Sequence, residues 1–206
     1  MTTENINFEE TFSAIGRNLS EQGYCILENS LPNNIGEELL QYLDLLSSSD
    51  FKQAGVGRGT GFVVDNQIRS DKILWITGES SSELKWIYFC NNLKEYLNRN
   101  LYLGLSSFES HFVRYAKGDF YKRHLDAFKG QGNRIVSVVY YLNKEWIEDD
   151  GGELVIYGGD IPESGKRVAP KFGTIIVFLS EEIPHEVLST NTNRLSIAGW
   201  FRRTIN

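Results

Sequence analysis

The sequence predicts a mostly β domain, a jelly roll or small sandwich with N-terminal helices packed outside one sheet. Three observations predict it. Beyond about residue 105, short runs rich in Val, Ile, Tyr and Phe alternate with glycine turns. Before that point, apolar residues recur at helical spacing instead. The chain has 206 residues, the length of one domain.

In chain order, Phe8, Phe12, Ile15 and Leu19 mark a first helix, and Gly23 stops it. Tyr24–Leu27 reads as a short strand. Ile35, Leu39, Leu43 and Leu46 mark a second amphipathic helix. Leu84, Ile87, Tyr88, Leu97 and Leu101 mark a third, with Ser81 or Ser82 as its N-cap. Between these two helices lies Gly55-Val-Gly-Arg-Gly-Thr-Gly61, which has neither the glycine spacing nor the Lys-Ser/Thr of a phosphate loop. It reads as a mobile loop of the kind that serves as a lid. Strands are then expected over 111–115, 120–126, 134–142, 153–157, 174–179 and 194–202, with residues 1–105 as helix-rich support and 106–206 as the core.

Hydrophobic residues at 41% and charged residues at 23% exclude a disordered chain. A net charge of −6 argues against a protein that grips nucleic acid through a basic surface. No apolar run approaches the roughly 20 residues of a membrane span. The first residues do not look like a secretory signal, and two cysteines (Cys25 and Cys90) are too few for a disulfide framework. The expectation is a cytoplasmic protein.

Only three histidines are present, so a histidine-based site has few possible constructions. In His124-Leu-Asp126, strand alternation turns His124 and Asp126 to one face. His185, in Ile183-Pro-His-Glu-Val187, is the strongest candidate for a third ligand. Two imidazoles and a carboxylate are the facial triad of non-haem iron(II), which leaves positions open. The same ligands with a bound water would also suit zinc, and the two histidines could be ordinary polar groups. Alternation puts His111 on the strand face of Val113 and Tyr115, where it could line a pocket, but it reads rather as a packed strand histidine with its polar edge satisfied.

Arg194 adds to this. It opens the final strand, and no acidic residue follows it in the chain. Its planar fork suits bidentate binding of an incoming carboxylate, and Ser196, on the same strand face, offers a hydroxyl. Iron with open positions, together with an arginine that grips a carboxylate, is what 2-oxoglutarate requires. The alternative is a surface arginine paired with an acid from another segment.

These residues, with Tyr121-Lys-Arg-His-Leu-Asp126, Arg134, Tyr140-Tyr-Leu-Asn-Lys-Glu-Trp146, Gly151-Gly-Glu-Leu154, Pro184-His-Glu-Val187 and Arg194 to Trp200, resemble the iron(II)- and 2-oxoglutarate-dependent prolyl 4-hydroxylases. The likeness is to the branch of the hypoxia-inducible-factor prolyl hydroxylases and their bacterial relatives. Ile68-Arg-Ser-Asp-Lys-Ile-Leu-Trp-Ile76 resembles that family's substrate-facing loop and the strand after it.

The resemblance implies a double-stranded β-helix core, with iron(II) on His124, Asp126 and His185. Arg194 and Tyr141 would hold the distal carboxylate of 2-oxoglutarate, and Tyr115 would sit near its metal-binding end. Val139, Leu154, Val187 and Trp200 would wall the pocket, with Trp200 also facing substrate. Arg69 and Asp71 would ride the loop that closes over a peptide. Where the branch often has a threonine on the distal carboxylate, this chain has Ala198, and Ser196 would compensate.

The implied reaction consumes O2 and 2-oxoglutarate, yields succinate and CO2, and hydroxylates C4 of a prolyl residue, with ascorbate as a possible reductant. The expected partner is a proline-containing cytosolic protein, elongation factor Tu being the known type of target among bacterial relatives. Free proline or another small amino acid is the alternative substrate, and a non-catalytic module sensing 2-oxoglutarate is the alternative class.

Overall fold

The computed structural model describes residues 8–29, 31, 33–55, 63–127 and 132–204. Most of the glycine-rich segment, 56–62, lies outside the described residues. Three helices precede most of the strands: α1 (Glu9–Gln22), α2 (Asn33–Leu45) and α3 (Ser81–Leu101). None of them is long and apolar enough to cross a membrane.

Gly23 ends α1 in the left-handed region at φ 79°, and its N–H bonds the Leu19 carbonyl. The cap of α3 falls one residue earlier than expected, at Ser80. Its hydroxyl accepts from the Glu83 N–H at 3.1 Å, while the Glu83 carboxylate accepts from the Gly78, Glu79 and Ser80 N–H groups. That reciprocal box satisfies donors the helix leaves open, which fixes the start more firmly than either neighbouring serine would.

The strands are β1 (Tyr24–Leu27), β2 (Lys52–Gln53), β3 (Lys72–Trp75), β4 (Ser107–Tyr115), β5 (Tyr121–His124), β6 (Arg134–Tyr141), β7 (Leu154–Ile156), β8 (Lys166–Val168), β9 (Ile175–Leu179), β10 (His185–Val187) and β11 (Arg194–Arg202). They form a seven-stranded sheet, ordered β1-β9-β6-β11-β4-β3-β2, and a four-stranded sheet, ordered β5-β10-β7-β8. The strand pairings within both sheets are antiparallel. This is the expected jelly roll with helices on one sheet.

Alternation along the strands divides the core in two. Phe112, Val138, Tyr140, Ile175, Val177 and Ile197 turn to the helices and pack with Phe12, Ile15, Leu39, Trp86 and Phe89. Val113, Tyr115, Tyr141, Ile176 and Phe178 turn the other way, toward Leu154, Ile156 and Val187 of the small sheet. The space between the sheets is where the candidate site residues lie.

Helix α2 docks through Gly36. A Cβ there would collide with the Tyr140 hydroxyl and come within 2.9 Å of the Phe172 ring. Alanine would raise helix propensity by about 1 kcal/mol, but overpacking typically costs about 1–3 kcal/mol. Gly36→Ala is therefore expected to lower the denaturant midpoint; a raised midpoint would show that the helix can shift away.

Candidate active site

His124 ends β5 and His185 opens β10, and the two stand directly opposite each other in the antiparallel register. Each imidazole is fixed by its Nδ1, which donates to the carbonyl two residues earlier: Lys122 at 2.7 Å for His124 and Ile183 at 3.0 Å for His185. The Nε2 lone pairs are thereby left free to bind a cation. Asp126 completes the group, with Oδ1 3.8 Å from the His124 Nε2 and Oδ2 3.7 Å from the His185 Nε2. One ligand atom from each residue lies within 4.8 Å of the other two.

The electrostatics keep the group ready for a metal. Burial and the neighbouring His185 push His124 down to about 3, so it is neutral at ordinary pH. Burial alone would raise the Asp126 carboxyl, but His185, His124 and the Ser137 hydroxyl outweigh it and hold the group at about 2. Two imidazole nitrogens and one ionised carboxylate fit iron(II) with open positions.

The same cavity, about 630 Å³, reaches Arg194. This residue is 3% exposed, and among the described residues it makes no ion pair. Its Nε donates to the Gly152 carbonyl at 2.7 Å and its Nη1 to the Ser196 hydroxyl at 3.1 Å. The guanidinium also lies near the rings of Tyr115 and Tyr141, 4.8 and 5.0 Å from their centroids. The Tyr141 hydroxyl is buried and lacks a hydrogen-bond partner among the described residues. A buried cation without an acid, beside an unused hydroxyl donor, is costly unless an anion joins them. A carboxylate would complete that cradle.

Tyr115, Val139, Leu154, Val187, Ser196 and Trp200 all line the cavity, as does Arg69. The register explains it: Arg194, Ser196, Ala198 and Trp200 lie on one face of β11, opposite Tyr115 and Val113 of β4 and Tyr141 and Val139 of β6.

Two sequence expectations need correction. His111 lines the cavity, but its Nδ1 lacks a partner among the described residues rather than being satisfied. Its ring is packed edge-on between Trp75 and Trp200, and burial, Arg69 and Arg134 push its pKa down to about 3. Asp71 does not face a substrate. It is fully buried and forms a bidentate pair with Arg69, at 2.8 and 2.5 Å. Arg69 in turn covers Tyr121 at 4.3 Å, and Tyr121 stacks on His124 at 3.6 Å. The pair thus buttresses a candidate metal ligand. The segment is also pinned to β5 by the Lys122 N–H to Ile68 carbonyl bond at 2.9 Å.

Sequence reasoning missed Ser137 and Ser180. Ser137 donates to the Asp126 Oδ2 at 2.6 Å and lies 2.8 Å from the Ser180 hydroxyl. A signal for Ser137 existed, since alternation puts it on the face of Val139 and Tyr141; Ser180 had none.

Comparison with known proteins gives the family. Residues 110–202 match the family model of the 2OG-Fe(II) oxygenase superfamily. The chain is 31% identical to mouse (Mus musculus) prolyl hydroxylase EGLN3, over 89% of this chain and 80% of that protein. A crystal structure of a Pseudomonas putida prolyl-4-hydroxylase superposes with TM-score 0.83 at 34% identity, covering 94% of this chain and all of that one. A Trichoplax adhaerens prolyl hydroxylase, solved with a hypoxia-inducible-factor peptide fragment, gives TM-score 0.83 at 29% identity, over 95% and 90% of the two chains. The chain belongs to the prolyl 4-hydroxylase family of iron(II)- and 2-oxoglutarate-dependent oxygenases. It is a dioxygenase that uses iron(II), 2-oxoglutarate and O2.

Breaking a buried ion pair by removing one partner costs about 3–5 kcal/mol. Asp71→Ala is therefore expected to lower unfolding free energy by that order in urea titrations. An unchanged midpoint would show that Arg69 finds a new partner.

Proposed function

We propose that this chain, working as one oxygenase domain over 1–206, hydroxylates C4 of a prolyl residue within a cytosolic protein. Iron(II) is held by His124, Asp126 and His185, and 2-oxoglutarate by Arg194. The observation that carries the reading is the buried Arg194 guanidinium, which has no acidic partner among the described residues and opens on the same cavity as the triad. When bound, the iron and its co-substrates supply the oxidising power for C–H hydroxylation, with 2-oxoglutarate leaving as succinate and CO2.

The chain's own residues bind, orient and shield. The His124 and His185 Nε2 atoms and the Asp126 carboxylate grip the cation from one side. Arg194 receives the distal carboxylate in a charge-assisted pair, the Tyr141 hydroxyl donates to it, and Ser196, held by Arg194, adds its own O–H. Tyr115 borders the end of the co-substrate nearer the metal. Val139, Leu154, Val187 and Trp200 exclude water from the reacting centre.

A polypeptide substrate is supported by the peptide-bound Trichoplax relative and by Trp75, 47% exposed where it lines the cavity. Arg69 and Trp200 border the same space. Elongation factor Tu is the first target to examine, on the family resemblance alone.

Mass spectrometry of host proteins with and without this enzyme, with ascorbate present in the matching in vitro assay, tests the proposal. The expected result is an enzyme-dependent gain of about 16 mass units, one oxygen atom, on specific prolyl residues. Turnover of free proline with no protein-bound oxidation would overturn the polypeptide assignment.

A further inference from the structure

We propose that Ser137 and Ser180 form a positioning relay that fixes how Asp126 meets the metal, an inference resting on the reading that the His124–Asp126–His185 group holds iron. Both serines sit where packing alone favours apolar side chains. Ser137 is 1% exposed and, in the sheet register, lies between Trp200 of β11 and Phe178 of β9. Ser180 is fully buried just beyond β9. A buried hydroxyl is unfavourable unless its hydrogen bond is made. Both of these are made, and they point toward Asp126.

The direction of the relay follows from valence. A carboxylate that ligates a metal only accepts hydrogen bonds, so the single Ser137 proton is committed to Oδ2 at 2.6 Å. The 2.8 Å contact between the two serines then requires Ser180 to donate to the Ser137 oxygen. Ser180 is itself immobilised through its backbone: its N–H bonds the Ile135 carbonyl at 3.0 Å, and its carbonyl accepts from the Ala127 N–H at 3.3 Å. The residue that anchors the relay therefore also ties down the chain immediately after Asp126.

The hydroxyl thereby fixes the rotation of the carboxylate, whose Oδ1 and Oδ2 lie 3.8 and 3.7 Å from the His124 and His185 Nε2 atoms. The serines thus hold a candidate ligand in the one orientation in which it faces both imidazoles.

Titration of the metal-free full-length protein with Mn(II), following free ion by electron paramagnetic resonance, tests this on wild type, Ser137→Ala, Ser137→Thr, Ser180→Ala and Asp126→Ala. Thermal melts of each metal-free variant check folding. The relay predicts that Ser137→Ala weakens Mn(II) binding about 10–100-fold, with Ser180→Ala intermediate and Ser137→Thr close to wild type. If Ser137→Ala binds like wild type while Asp126→Ala loses binding, the relay is wrong and the metal site stands. Equal losses in the alanine and threonine variants of Ser137 would also overturn it, because side-chain volume rather than the hydroxyl would then matter. Should Asp126→Ala bind like wild type, the metal assignment itself falls, and the relay with it.

Discussion

The pairing of His124 with His185 across β5 and β10 is the constraint on which the rest of the site depends. These residues lie far apart in the chain, and only the antiparallel register brings their rings together, with centroids 4.2 Å apart. A slip of one residue would turn either imidazole to the opposite face of the small sheet. Short strands specify register weakly by themselves, so the surrounding contacts must do it. Val187 opposite Leu154 and His185 opposite Ile156 bury the same face of β10, and Tyr121 stacks on His124 from outside. The apolar contacts that stabilise the small sheet are thus also what aligns the imidazoles.

Arg194 marks the other limit of the cavity. A buried guanidinium without a carboxylate is an unfavourable feature in a resting protein, and the fold tolerates it by partial means. The Gly152 carbonyl, the Ser196 hydroxyl and the Tyr115 and Tyr141 rings offset the lost hydration without cancelling the charge. Gly152, at φ 70°, has no room for a side chain: a Cβ would come within 3.0 Å of both Arg194 and Thr190. The glycine therefore serves the arginine, letting a carbonyl approach it closely. An anion arriving at this end of the cavity would supply the partner that the guanidinium lacks among the described residues.

Much of this was legible in the sequence because the informative signals are local. Helical spacing located α1, α2 and α3, and runs rich in Val, Ile, Tyr and Phe between glycine turns located β4, β6, β9 and β11. The His-x-Asp spacing, the scarcity of histidine and the isolated Arg194 pointed to the site before any geometry was known. Other features were out of reach for physical reasons. β8 and β10 are three residues long, too short to show a period. Asp71 was read as a substrate contact because spacing cannot distinguish an exposed acid from one that is buried and paired with Arg69. Ser180 reaches Asp126 only through Ser137, a contact that depends on strand order. His111 was assigned to the correct side of its strand by alternation, but whether its nitrogens find partners is a matter of tertiary packing.

One cavity joins the His124–Asp126–His185 group to a buried arginine with no acidic partner among the described residues. Anaerobic absorption spectroscopy reads whether the two ends act together, adding iron(II) and then 2-oxoglutarate to the metal-free protein. The expected result is a weak visible charge-transfer band that needs both additions and saturates at one of each per chain. Iron binding with no band on adding 2-oxoglutarate, or a purified protein that retains zinc and refuses iron, would contradict it.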